Sequence, residues 1–167
     1  DTSVDFLFSV ATYETEKIFF GQSWNGRNYL FNEQSNVFKM HGDGTTVGSP
    51  VSGSTDYRFK INAAGNSVLT KRNGSYKLET TCANATQAIQ IFDMALFGSV
   101  FGEKGSKIRF DGMRIWDKGL LARDLVPVVA NGKAALFDRE TGVVLANAAS
   151  ADFTRGADAG SRTGWVQ

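Results

Sequence analysis

Aromatic and hydrogen-bonding side chains are concentrated in one short segment of the chain, which reads Gln22-Ser23-Trp24-Asn25-Gly26-Arg27-Asn28-Tyr29. Aromatic rings with a polar end stack well on the faces of sugars, while amide and guanidinium groups bond to hydroxyls. The segment therefore predicts a shallow carbohydrate-binding site in which Trp24 and Tyr29 stack and Asn25 and Arg27 make hydrogen bonds. It also fits a β-hairpin whose Trp24 packs on its own sheet, and the two interpretations stay open.

Four residues elsewhere in the chain suit the same chemistry, and we include them in the predicted site: Tyr13, Trp116, His41 and Asp43. Tyr13 and Trp116 offer rings, although either ring would equally well cover a sheet face. His41 and Asp43 lie at the start of a polar, Gly- and Ser-rich stretch from Gly42 to Ser54, which reads as a loop.

Charge and composition argue against several classes of function. The 18 Lys and Arg residues are balanced by 17 Asp and Glu, giving a net charge of +1. We therefore expect no nucleic-acid partner, because such binding depends on clustered positive charge. The single cysteine, Cys82, cannot form an internal disulfide, and together with the single histidine, His41, it leaves too few ligands for a structural zinc site. No apolar run is long enough for a membrane span, so we expect no membrane insertion.

Alternation of apolar and polar residues dominates the chain and predicts about ten short strands. The clearest cases are Val4 to Val10 and Asp56 to Ala63. Turn signals separate such runs, among them Asn73-Gly74, Lys118-Gly119, Asn131-Gly132 and Thr141-Gly142. The only helical signal is a single turn over 120–125, ended by Pro127. We expect an all-β chain folded as an antiparallel β-sandwich, with one domain over 3–154 and a tail or linker over 155–167.

Three pieces of the C-terminal half carry a resemblance to a known family: Arg114-Ile115-Trp116 with Gly119; Leu121-Ala122-Arg123-Asp124-Leu125 with Pro127; and Ala135-Leu136-Phe137-Asp138 with Thr141-Gly142 and Asn147. In order and spacing they resemble concanavalin A-like (laminin-G-like) jelly-roll domains of bacterial surface proteins, secreted glycan-degrading enzymes and phage tail proteins. The resemblance is good over 107–153 and only architectural over 4–100. It implies a jelly-roll sandwich in which Pro127 marks a strand edge and Asp138 bonds the backbone of its own turn.

The resemblance also bears on catalysis and on calcium. Glucanases of this fold carry carboxylates spaced E-x-D-x-x-E on one strand, and none of the six glutamates begins that pattern. Because Glu14 and Glu16 fit an exposed loop edge better than an active site, we expect no enzyme. Laminin-G-like domains often hold one Ca²⁺ at the rim of the sandwich. The resemblance therefore leaves a calcium site open, for which the candidate ligands are Asp43, Asp111, Asp117 and Asp152.

Together these features predict a non-catalytic carbohydrate-binding module of a secreted or surface-attached bacterial protein. Its expected partners are a polysaccharide or host glycan and the other domains of a longer parent, and its expected location is extracellular or on the cell surface. The alternative is a structural or adhesion module, as in a phage tail or on a cell surface, with a protein partner or a spacer role. The exposed aromatic side chains distinguish the two, since burial of Trp24, Tyr29 and Trp116 would remove the best sugar-binding residues.

Overall fold

A computed structural model describes residues 2–10, 17–21, 30–34, 37–41, 46–50, 55–62, 67–73, 75–82, 95–96, 108–147 and 153. Every regular element in these ranges is a strand, which confirms the predicted all-β class. The strands are β1 (Thr2–Val10), β2 (Lys17–Gly21), β3 (Leu30–Gln34), β4 (Val37–His41), β5 (Thr46–Pro50), β6 (Thr55–Ile61), β7 (Ser67–Asn73), β8 (Ser75–Cys82), β9 (Ala95–Leu96), β10 (Ile108–Asp117), β11 (Leu120–Ala130), β12 (Lys133–Asp138) and β13 (Val143–Leu145). Within the same ranges, no helix has the length and apolar character that a membrane crossing requires.

The strands form two antiparallel sheets. The larger has eight strands in the order β13-β12-β11-β10-β1-β6-β7-β8, and the smaller has five in the order β5-β4-β3-β2-β9. In the larger sheet β1 lies between β10 and β6, although both are distant in sequence. Strand β1 therefore lies inside the sheet and joins strands from the middle of the chain to strands from its C-terminal half.

Apolar side chains alternate along β1 and build the core. Val4, Phe6 and Phe8 lie on one side of the strand, and none is more than 3% exposed. The rings of Phe6 and Phe8 are stacked with their centroids 4.7 Å apart, and the ring of Phe110 lies 5.8 Å from that of Phe6. Burial of each side chain of this size contributes about 1.5–3 kcal/mol to folding. We call this side of the eight-stranded sheet the apolar face.

The neighbouring strands continue the apolar face in register. In β6, Tyr57 and Phe59 lie opposite Phe8 and Phe6, and both are fully buried. In β10, Phe110 and Met113 lie on the same face although they are three residues apart, because the register of the β1–β10 pair shifts at this point. Such a bulge adds one residue to a strand and so restores the alternation. The alternation predicted over residues 56–63 is confirmed for the described side chains of β6. On β1, Val4, Phe6 and Phe8 share one face as predicted, but Asp5, Leu7 and Ser9 on the other face are buried as well.

Two of the predicted turns are two-residue hairpin loops. Lys118 and Gly119 connect β10 to β11 with φ values of 50° and 82°, and Asn131 and Gly132 connect β11 to β12 with 52° and 77°. Positive φ at both central residues is the requirement of a type I′ turn. Glycine and asparagine tolerate this conformation, whereas Lys118 adopts it at a cost.

The structure differs from two sequence interpretations. The stretch from Gly42 to Ser54 contains β5, which pairs with β4, so it is not a continuous loop. The segment 120–125, which the sequence left open to a single helical turn, is part of β11, and Pro127 lies within the same strand. Among the described residues, β11 pairs with β10 only up to Leu125, so Pro127 has a described partner strand only in β12, at Leu136. A strand position paired on one side tolerates the missing N–H of proline.

Candidate functional site

The opposite side of the eight-stranded sheet carries charged side chains, and we call it the polar face. On β1 it begins with Ser3 and Asp5, which alternate with the apolar residues. Cross-strand register places Asp5 directly between Lys60 of β6 and Arg114 of β10, and Arg114 lies opposite Asp124 of β11. Four neighbouring strands thus contribute one row of alternating charge, which is the favourable arrangement for cross-strand pairs.

Asp5 is buried and ion-paired. The Nε of Arg58 donates to its Oδ1 at 2.9 Å, and the Nη2 of Arg58 donates to its Oδ2, so the guanidinium holds both oxygens. Lys60 also faces this carboxylate, but its Nζ is 3.8 Å from Oδ2, beyond hydrogen-bond distance. Arg58 is therefore the main partner of Asp5, and Lys60 is a second, loosely held cation.

Asp124 on β11 is also buried near two cationic side chains, but unlike Asp5 its Oδ1 accepts no hydrogen bond. Its Oδ1 lies 3.4 Å from the Nε of Arg114, and its Oδ2 lies 3.8 Å from the Nη1 of Arg139. The backbone N–H of Arg139 donates to the carbonyl of Asp124 at 2.9 Å, which fixes the place of Arg139 at the end of β12. Two cationic side chains therefore share this buried carboxylate as well.

Asp138 organises the turn between β12 and β13. It is 1% exposed, and its Oδ1 accepts the backbone N–H groups of Asp124 and Glu140 at 3.1 Å. Its Oδ2 accepts the hydroxyl of Thr141 at 2.8 Å and the Nη1 of Arg123 at 3.2 Å. Burial alone would raise the pKa of this carboxyl, but the donors to the carboxylate outweigh it and hold the pKa below its usual value. The predicted bond from Asp138 to its own turn is confirmed.

At the other end of the polar face, Arg109 joins two carboxylates. It donates to Asp111 at 2.9 and 3.0 Å and to Asp56 at 2.6 Å. The hydrogen bond to Asp111 is the main cause of the raised pKa of Arg109. Of the calcium candidates, Asp111 is thus engaged with Arg109, Asp117 is exposed beside a hairpin turn, and Asp43 and Asp152 lie outside the described residues. No group of three potential metal ligands lies together within the described ranges.

Trp116 is the one predicted site residue whose side-chain environment the structure describes. It lies two residues beyond Arg114 on β10, opposite Ser3 of β1 and beside Leu121 of β11, and it is half-buried. Across β1, exposed Lys60 and Asn62 lie on the same side of the sheet. From the spacing of strands and residues, Trp116 and Lys60 are about 12 Å apart at Cα. Trp116 therefore places a half-buried ring on the same face as these polar groups.

The other predicted site residues cannot be placed around Trp116. Trp24, Asn25, Arg27, Tyr29, Tyr13 and Asp43 lie outside the described residues. The backbone of His41 is at the end of β4, opposite Leu30 and Thr46, in the five-stranded sheet. Sequence reasoning did not single out Lys60, Asn62, Arg114 and Arg139, which the structure places on the polar face or beside its carboxylates. For β6 the signal was present, since Arg58, Lys60 and Asn62 alternate with the core residues.

The class that the fold defines is an all-β protein with a large antiparallel sheet, whose central strands carry the aromatic core on one side and a row of charged side chains on the other. In comparisons with known proteins, no family model, curated sequence or solved structure matches the chain.

Proposed function

We propose that this chain is a non-catalytic carbohydrate-binding module with a concanavalin A-like jelly-roll fold. The resemblance over 107–153 supports the fold, and so does the apolar face, because a sheet buries side chains such as Phe6 and Phe59 only under a second layer. In a sandwich the five-stranded sheet would supply that layer. The turn held by Asp138 supports the same assignment, since it gives a structural reason for the spacing of Asp138, Thr141 and Gly142.

The observation that carries the proposed function is the half-buried Trp116 on the polar face, on the same side of the sheet as exposed Lys60 and Asn62, which lie across β1. Its position on β10, a strand that also carries buried Met113, fixes the ring on a rigid element. A pre-positioned ring loses little conformational entropy when a sugar stacks on it. For a single sugar chain we expect a Kd in the micromolar to millimolar range, or about −4 to −8 kcal/mol.

The charged groups of the polar face favour binding over catalysis. Glycoside hydrolysis needs two carboxylates that flank the scissile bond, one of them as a nucleophile or base. Asp5 and Asp124 are each buried beside two cationic side chains, which suits a structural role. In the proposed role, the module holds a larger secreted or surface protein of a bacterium against a polysaccharide or host glycan. Several weak sites in the parent would then add up through multivalency.

A structural or adhesion module with a protein partner is the second candidate, and the edge strand β13 favours it. Val143, Val144 and Leu145 are 48%, 50% and 40% exposed, so both sides of this short edge strand are apolar and accessible. Unpaired strand edges are places where another chain adds a strand. In this role the polar face would not bind a glycan.

The two candidates are separated by a glycan array and a polysaccharide pull-down with the whole chain, with and without EDTA. We expect binding that Trp116→Ala weakens at least about tenfold and that Leu120→Ala leaves unchanged, since Leu120 is 76% exposed at a hairpin turn. Trp24→Ala tests the segment predicted from sequence, and loss of binding in EDTA would establish the calcium site. A folded chain that binds no glycan would refute the proposal and favour the protein partner.

A further inference from the structure

The polar face carries more cations than carboxylates at its centre. Asp5 and Asp124 are the two carboxylates of this group, and four cationic side chains lie within 4 Å of them: Arg58, Lys60, Arg114 and Arg139. Only two of the four positive charges are neutralised inside the group. The two that are held most loosely are Lys60 and Arg139.

Lys60 and Arg139 are also the most accessible members of the group. Each side chain is 52% exposed, against 18% for Arg58 and 28% for Arg114. Each lies 3.8 Å from its carboxylate, which is close enough for attraction but too long for a hydrogen bond. Their N–H donors are therefore available to an anionic ligand, while Arg58 keeps Asp5 neutralised.

The geometry points to an acidic glycan as the ligand of this face, with carboxylate or sulfate groups on its sugar units. This inference rests on the proposed function, because it uses Trp116 as the stacking ring. Lys60 lies two strands from Trp116 in one direction, and Arg139 lies at the end of β12, two strands away in the other. Neighbouring strands are about 4.8 Å apart, so each cation is roughly 10 Å or more from the ring. One sugar on Trp116 would then have a basic group on either side for the acidic groups of adjoining units.

Charge attraction also predicts that neutral glycans bind more weakly than acidic ones. A neutral chain gains only the stacking on Trp116 and hydrogen bonds. An acidic chain additionally approaches Lys60 and Arg139, whose attraction at a partly exposed surface is screened by salt over about 10 Å at 0.1 M. The preference for acidic chains should therefore be strongest at low ionic strength.

The test compares matched polymers by affinity electrophoresis and titration calorimetry with the whole chain. One pair is dextran sulfate and dextran, and the other is polygalacturonate and its methyl ester. These pairs separate a sulfate ligand from a carboxylate ligand. We expect at least a tenfold preference for one acidic member at 50 mM salt, falling severalfold at 500 mM. In Lys60→Gln/Arg139→Gln that preference should fall to about one.

The control is Lys133→Gln, which removes an exposed lysine at the far end of β12, about 17 Å from Asp138 along the strand, and should keep the preference. Equal binding of the acidic and neutral polymers, lost in Trp116→Ala, would overturn the acidic ligand and leave the proposed function standing. Failure to bind any glycan would overturn both. Binding of duplex DNA as tightly as of the acidic glycan, unchanged in Trp116→Ala, would show a non-specific polyanion surface and also overturn the inference.

Discussion

Replacement of Asp138 by asparagine should destabilise the fold measurably, because this carboxylate accepts four hydrogen bonds while it is 1% exposed. Asparagine keeps one oxygen, which can still accept from the N–H groups of Asp124 and Glu140. Its NH₂ group takes the place of the other oxygen. There it meets the Arg123 guanidinium, a second donor, and only the Thr141 hydroxyl can turn to accept from it.

The size of the effect follows from these contacts. The bond to Arg123 is worth less than about 1 kcal/mol, because that side chain is 50% exposed. The two backbone bonds lose their charge assistance, and hydrogen bonds to a charged group contribute about 1.5–3 kcal/mol against about 1 for neutral ones. We expect Asp138→Asn to lower the free energy of unfolding by about 1–3 kcal/mol at pH 7. With a urea m-value of about 2 kcal/mol/M, the midpoint moves by roughly 1 M.

Urea unfolding followed by tryptophan fluorescence, repeated from pH 7 to pH 3, is the assay. The folded-state pKa of Asp138 is lowered, so its carboxylate stabilises the protein fully above the unfolded pKa of about 3.9. That contribution is lost as the pH falls through the lower, folded-state pKa. The gap between wild type and Asp138→Asn should therefore be constant above about pH 5 and shrink on further acidification. Asp117→Asn, the same change at an exposed site, is the control. Equal midpoints for wild type and Asp138→Asn at pH 7 would refute this account.

Three further changes test the core, a turn and an ion pair by urea unfolding. Phe6→Ala removes a fully buried stacked ring and should cost about 3–5 kcal/mol, so a loss below 1 kcal/mol would contradict the core assignment. Lys118→Asn relieves a positive φ in a type I′ turn and should stabilise by about 0.5–1 kcal/mol, whereas a destabilised variant would refute that turn geometry. Arg58→Ala removes the guanidinium hydrogen bonds to the Asp5 carboxylate and leaves that carboxylate buried near Lys60, whose Nζ is 3.8 Å from its Oδ2. We expect the free energy of unfolding to fall by about 2–4 kcal/mol, with Arg58→Lys recovering part of it.

Much of the local structure could be predicted from sequence where the pattern is strictly local. Alternation over residues 4–10 and 56–63 identified the side of β1 and β6 that carries the aromatic core, because successive side chains of a strand point to opposite faces. The dipeptide Asn131-Gly132 identified a turn because few other residues accept positive φ at both positions. In these strands and in this turn a few neighbouring residues determine the backbone conformation, and contacts with distant strands change it little.

The errors arose where distant strands determine the conformation. Residues 46–50 carry little apolar alternation, and they are a strand because β4 offers a partner. Residues 120–125 contain an apolar spacing that fits a helical turn, but β10 pairs with them as a strand, and Leu125 also pairs with β12. Sequence reasoning missed the charged row for the same reason. Asp5 and Arg58 are 53 residues apart, and only the register of β1 against β6 brings them together.

The burial of Asp5 explains why cationic side chains gather on the polar face. A carboxylate that is 4% exposed is tolerated in the centre of a sheet only with cationic partners in good geometry. Those partners lie on the polar face, so the folding of β1 also fixes the Arg58 guanidinium there and draws Lys60 towards the Asp5 carboxylate. Since β10 presents Met113 to the core and Trp116 to the polar face, core packing holds the ring at a set distance from these cations. In the proposed role, a ligand would meet a ring already positioned by folding, and little of the binding energy would be lost to ordering that ring.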